Sequence, residues 1–139
     1  MSDTPALTRY HHLSLTVCDV DRSVAWYQDV LGFQFGFTED HPDGTGLAHV
    51  LLRPDTFLFL GLHQHNDNGS EDFGEHRTGM DHIGIAVETR EDLDAWAEHL
   101  DRHDVHRSEP VDGKIGDTPY AVLNFRDPDN IALELIWMP

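Results

Sequence analysis

One cysteine, Cys18, and one lysine, Lys114, occur among the 139 residues. A lone thiol cannot close a disulfide within the chain, and it makes a structural zinc site built from thiolates a poor expectation. Basic residues are scarce altogether: 9 Lys and Arg stand against 26 Asp and Glu, for a formal charge of −17. Such a surface repels phosphate backbones and anionic lipid, so neither nucleic acid nor a membrane surface is an expected partner. No apolar run approaches bilayer length, and the polar opening MSDTPALTRYHH does not read as a secretion signal. The cytoplasm is the expected location. The acid excess suits a high-salt cytoplasm, a GC-rich genome and plain solubility equally well.

What is present suits one folded domain, with a hydrophobic fraction of 39%. The chain also repeats itself. HLSLTVCDVDRSVAWY, beginning at His12, aligns without a gap on HIGIAVETREDLDAWA, beginning at His82. Each copy opens with histidine and alternates apolar residues up to Val17 or Val87. Trp26 and Trp96 stand at the same distance from their histidines. A repeat of this kind decides architecture before any single motif does.

Period-two alternation marks both openings as strands. The first helix is expected to take Asp21 as N-cap and to stop before Gly32. Thr89 and Asp92 form a capping-box pattern for the second, whose Leu93, Trp96, Ala97 and Leu100 recur at helical spacing and face a sheet. Strands follow near 34–39, 48–53 and 57–62, then near 105–111, 120–125 and 131–137. Asn130, in the turn RDPDN, is placed to take positive φ. The polar, glycine-bearing segment 66–79 reads as a linker between units at about 10–65 and 80–138. Each unit is thus βαβββ, and the domain spans 1–139. Either unit alone is too small to bury much core.

HLSLTVCDVDRSVAWYQDVLGF in the first half, with DHIGIAV and FRDPDNIALELIW in the second, resembles the vicinal oxygen chelate superfamily. That group includes glyoxalase I, fosfomycin-resistance proteins, extradiol dioxygenases and bleomycin-resistance proteins. The resemblance runs from about Tyr10 to Trp137. It implies an α+β fold in which the two units form a half-open mixed β-barrel with helices on the outside. It also implies one divalent metal ion, held by His12 and His82 from the first strands and by Glu134 from the last. Aligning FLGLHQ on ALELIW puts Gly61 where a fourth ligand would stand. Glyoxalase I usually has glutamate there and methylmalonyl-CoA epimerase glutamine. Three protein ligands resemble instead the set in extradiol dioxygenases and fosfomycin-resistance transferases.

Two imidazoles and a carboxylate leave coordination positions open for a substrate that chelates through adjacent oxygens. Fe, Mn, Ni, Co and Zn all accept such ligands, so the ion is not selected. Glu134 is informative by itself, because a carboxylate in an otherwise apolar strand is costly without a partner. His63 and His65 share the facing of Gly61 and are candidates to reach the ion or a substrate. Tyr120, Asn124 and Arg126 share one face of the penultimate strand and are candidate pocket residues, although Arg126 can also pair with Asp127 or Asp129. His11 should point away from His12 by alternation. His99 and His103 read as an exposed helix end, Cys18 as an inert small residue, and His41, His49, His76 and His106 receive no role. No general base is identified.

The leading expectation is a metal-dependent enzyme on a small substrate, of the dioxygenase-like kind. A fosfomycin-resistance-like transferase or lyase is the second reading, although no basic cluster is seen to hold a phosphonate. The third is a protein that sequesters a drug or metabolite without a metal. The resemblance further implies a homodimer, in which His12 belongs either to the same chain as His82 and Glu134 or to a partner.

Overall fold

The computed structural model describes residues 3–139, so the first two positions of the expected domain lie outside the described residues. The order is β1 (Leu13–Thr16), α1 (Val20–Leu31), β2 (Gln34–Asp40), β3 (Gly46–Arg53) and β4 (Leu58–His65). It then repeats as β5 (Ile83–Ala86), α2 (Arg90–Arg102), β6 (Val111–Ile115), β7 (Thr118–Arg126) and β8 (Ala132–Trp137). The two units are therefore both βαβββ. Each makes a mixed four-stranded sheet, ordered β1-β4-β3-β2 and β5-β8-β7-β6, with the first and last strands of the unit parallel. Neither sheet closes into a barrel.

Local chemistry explains most boundaries. The α1 N-cap is Asp19 rather than Asp21: its Oδ1 accepts the Arg22 N–H, and the helix starts two residues earlier than expected. Gly32 ends α1 in the left-handed region at φ 72°, where a Cβ would be strained. Thr89 and Asp92 form the reciprocal capping box of α2. Asn130 takes φ 66° as expected. The strand expected near 105–111 is displaced. Only Arg107 there makes an isolated bridge, to Phe125, and the true edge strand begins at Val111, after Pro110. Its sequence VDGKI lacks alternation because both faces are largely exposed.

Both helices lie on the sheet faces that carry the leucines. Leu15, Leu51, Leu60 and Leu62 of the first unit join Leu123, Leu133 and Leu135 of the second in one buried cluster, with Tyr27, Leu93 and Leu100. A shared core makes the halves one cooperative body. They are also pinned by polar groups. The β7–β8 turn buries Asp127 and Asp129 beneath α1. Tyr27 Oη donates to Asp127 Oδ2 at 2.8 Å, and the N–H groups of Asp129 and Ile131 donate to its Oδ1. Arg22 Nη2 donates to Asp129 Oδ1 at 2.6 Å, and the Cys18 N–H to its Oδ2. Burial and the neighbouring Asp129 lift the Cys18 thiol to about 11, which leaves it inert as expected. Among the described residues no helix is long and apolar enough to cross a membrane.

Tyr27→Phe tests this pin. It removes a donor from a buried carboxylate and should lower stability at neutral pH by about 2 kcal/mol. Urea denaturation should show an earlier midpoint with an unchanged slope. Burial raises the Asp127 pKa, so the fold takes up this proton at a higher pH than the unfolded chain does. The difference between parent and variant should therefore shrink as pH falls through that range.

Candidate metal site on two sheet faces

Glu134 is the central residue of β8. Its neighbours Leu133 and Leu135 point into the core, so alternation turns Glu134 to the open face of the second sheet. Across the parallel ladder it pairs with Gly84, where a Cβ would make only ordinary contact, 3.7 Å from Glu134 Oε1. His82 lies two residues before Gly84, on the same face, and its Nε2 stands 4.0 Å from Glu134 Oε1. The other ring nitrogen is occupied, since Nδ1 donates to Asp81 Oδ1 at 2.7 Å. That bond, followed by the Glu134 charge, raises the His82 pKa above its ordinary value. It also orients the ring so that Nε2 faces the carboxylate, the arrangement that carboxylate-backed histidine ligands use.

The same cleft, about 530 Å³, is lined by Asn124, Arg126, Ser108 and Glu75. Asn124 pairs with Glu134 in the β7–β8 ladder and is exposed. Arg126 does not pair with Asp127 or Asp129, as its sequence position allowed. Both of its terminal nitrogens donate to Glu75, at 2.7 and 2.8 Å, and Nη1 also donates to the Asn130 carbonyl. The guanidinium holds the Glu75 carboxyl down at about 2. Tyr120 lies elsewhere: its ring covers Gly113 on β6, where a Cβ would meet it at 2.6 Å.

His12 stands on the first sheet, immediately before β1, and its Nδ1 is 2.9 Å from that of His11. It lines a different cleft, with Tyr10, Phe57 and Phe59. Within one chain the structure brings His82 to Glu134 but does not gather His12 into the same cluster. On this face Gly61 pairs with Ser14. The space above Gly61 is taken by His63, whose Nε2 would be 3.3 Å from a Cβ there, while Ser14 Oγ would be at 2.7 Å. His63 and His65 do share the facing of Gly61, since β4 continues to His65.

Three residues of these faces escaped the sequence reading. Asp81 adjoins His82, but a neighbouring carboxylate in sequence does not show which atom it bonds. Glu75 belongs to the linker, whose return path no periodicity reports. His41 sits in the β2–β3 turn, and its Nε2 lies 3.0 Å from His63 Nδ1. The hairpin register, which pairs Gly46 with His65, is the signal that would have found it. His99, expected at an exposed helix end, instead donates from Nε2 to the Val30 carbonyl and ties α2 to the end of α1.

Residues 9–135 match the model of the "Glyoxalase/Bleomycin resistance protein/Dioxygenase superfamily". A lactoylglutathione lyase from Haemophilus influenzae is 31% identical over 137 residues, covering 90% of this chain and 89% of that protein. A glyoxylase/bleomycin resistance protein/dioxygenase domain from Frankia sp. superposes with a TM-score of 0.84 at 31% identity, over 96% of this chain and all of the other. The fosfomycin resistance protein FosX from Listeria monocytogenes, determined with Mn(II) and a sulfate ion, shares the fold at a TM-score of 0.67 and 16% identity, over 95% of this chain and 93% of its own. Tandem βαβββ units, open sheet faces bearing histidine and carboxylate, and a match along nearly the full length make this chain a member of the glyoxalase/bleomycin resistance protein/dioxygenase superfamily.

Proposed function

We propose that the chain is a metal-dependent enzyme acting on a small substrate with two adjacent oxygens. Its divalent ion would be held by His82 and Glu134 of one subunit and by His12 of the partner subunit. The observation that carries this reading is the His82–Glu134 pair, with Asp81 holding the far side of the imidazole. Nδ1–H is committed to Asp81, so the Nε2 lone pair of the neutral ring is the one presented to an ion. The donor set, imidazole nitrogen with carboxylate oxygen, suits Fe, Mn, Ni, Co or Zn. When bound, such an ion supplies Lewis acidity to a substrate oxygen on which charge develops.

The remaining residues narrow the substrate. Asn124, across the ladder from Glu134, offers both a donor and an acceptor to a bound oxygen. Arg126 and Arg107, the arginines of this cleft, bring little positive charge, because Glu75 neutralises the first and Asp101 with Glu109 the second. A dianionic phosphonate therefore has no free cationic partner in this cleft, which favours an uncharged hydroxycarbonyl or diol at the ion. Lactoylglutathione, named for the Haemophilus relative, carries a hydroxyl beside a carbonyl and is the first compound to assay.

Two features support a site completed by a second copy. Within the single chain His12 lines a different cleft from His82 and Glu134. In addition, Phe35 and Phe37 on β2 and Val111 and Ile115 on β6 leave large apolar side chains exposed on the outer strands, a liability that association relieves.

Elemental analysis should find a transition metal in untagged protein and its loss from this site in His82→Ala and in Glu134→Ala. Iron would direct assays to oxygen consumption with diols; manganese, nickel or zinc would direct them to isomerase and lyase screens. Unchanged metal in both variants would sink the triad, and ligand binding that survives chelation would then favour sequestration. Co-expression of His12→Ala with Glu134→Ala separates the two site architectures. Random pairing makes half the dimers mixed, each with one intact site, so about a quarter of the parental activity should return. A site closed within one chain would recover none.

A further inference from the structure

We infer that His41, His63 and His65 form a second divalent-metal site, for a borderline ion such as Zn2+, separate from the His12–His82–Glu134 set. One nitrogen from each ring lies within 4.8 Å of the other two. The three residues come from two consecutive hairpins, β2–β3 and β3–β4. His63 and His65 alternate onto the same face of β4, and His41 reaches back over them from the β2–β3 turn.

The cluster is built rather than incidental. The His41 N–H donates to the Gly46 carbonyl at 2.9 Å, and Gly46 pairs with His65 across the ladder, so the turn is anchored to the strand that bears the other two rings. Gly46 has φ 157°, and a Cβ there would run first into the Gln64 carbonyl of the paired strand and would also lie 2.9 Å from His41 Nδ1, so the glycine that the strand pairing requires leaves the His41 ring its space. The rings sit against one another, with centroids 5.3 Å apart for His41 and His63 and 4.7 Å for His41 and His65. All three are half-buried, and Ala48, opposite His63 in the ladder, is only 1% exposed beneath them.

The chemistry fits a metal better than a hydrogen-bonded histidine patch. An imidazole in its neutral form keeps one nitrogen lone pair free for an ion, and here three rings bring one nitrogen each to a common point. His41 Nε2 and His63 Nδ1, 3.0 Å apart, share a single hydrogen. Two nitrogens each about 2.05 Å from a tetrahedral zinc stand roughly 3.3 Å apart, so a slight opening of the pair admits the ion. A tautomer shift moves the shared hydrogen to an outer ring nitrogen, with no net loss of a proton. Glu39 and Asp43 add negative potential at this end of the sheet. With three protein nitrogens the fourth position falls to water.

The test loads metal-free full-length protein with ZnCl2, desalts it and counts zinc per chain. The parent should hold about two ions; His41→Ala and His65→Ala should each hold one fewer, and Glu134→Ala should lose only the other. A second readout uses the Glu134→Ala variant, where zinc titration followed by imidazole nitrogen shifts should move His41, His63 and His65. Zinc content in His41→Ala and His65→Ala equal to the parent, or imidazole shifts that stay put, would overturn the second site. Zinc lost from the histidine variants but fully retained by Glu134→Ala would leave this site standing and defeat the other.

Discussion

Beneath α1 the turn between β7 and β8 buries two carboxylates that the first half of the chain must satisfy. Asp127 depends on the hydroxyl of Tyr27, and Asp129 on Arg22 and on the backbone at Cys18. Ionised groups at that depth are costly alone and tolerable when every lone pair is met. The second unit therefore cannot close its last hairpin properly without the first unit's helix. Because β8 leaves this turn directly, the same bonds set where Glu134 stands. The Phe73 N–H, which donates to the Asp129 carbonyl, draws the linker onto the same turn, and Glu75 follows onto Arg126. One buried turn thus aligns the helix, the linker and the open face of the second sheet.

The two faces that result are electrostatically unlike. The second carries a histidine locked between two carboxylates, whereas the first gathers three histidines with Glu39 and Asp43 nearby. Divalent ions suit both, for different reasons. Charge attraction and an oriented nitrogen act at Glu134, and converging imidazole nitrogens act at His63. The excess of acid over the whole surface raises the local cation concentration at either place.

Much of this was legible from residue order. Repeat and periodicity suffice for the βαβββ units, because strand alternation and helix capping are local effects that a sequence displays directly. The family resemblance pointed to His82 and Glu134 together; in the structure the buried Leu133 and Leu135 turn Glu134 to the open face, and His82 alternates with Ile83 in step with Gly84. Interactions that close over long separations were not legible. Arg126 has acidic neighbours in sequence yet pairs with Glu75, because Asp127 and Asp129 are already consumed by α1. The edge strand at Val111 was displaced in the reading because an exposed strand needs no apolar alternation. His41 went unread because its role arises only when a hairpin folds it back across β4. His12 has the parity of a ligand, but parity within one sheet says nothing about which other sheet it meets.

The pairing of small with large residues across the parallel strands has an evolutionary consequence. In one unit Gly84 lies open beside Glu134; in the other Gly61 lies close beneath Ser14 Oγ and the overlying His63. A carboxylate side chain at position 61 would require Ser14 Oγ, 2.7 Å from its Cβ, to turn aside and the His63 imidazole to move. Changes at 61 are thereby coupled to positions 14 and 63, because the effects of residues in contact do not simply add. A duplicated fold can in this way keep two dissimilar halves apart long after their backbones have stopped differing.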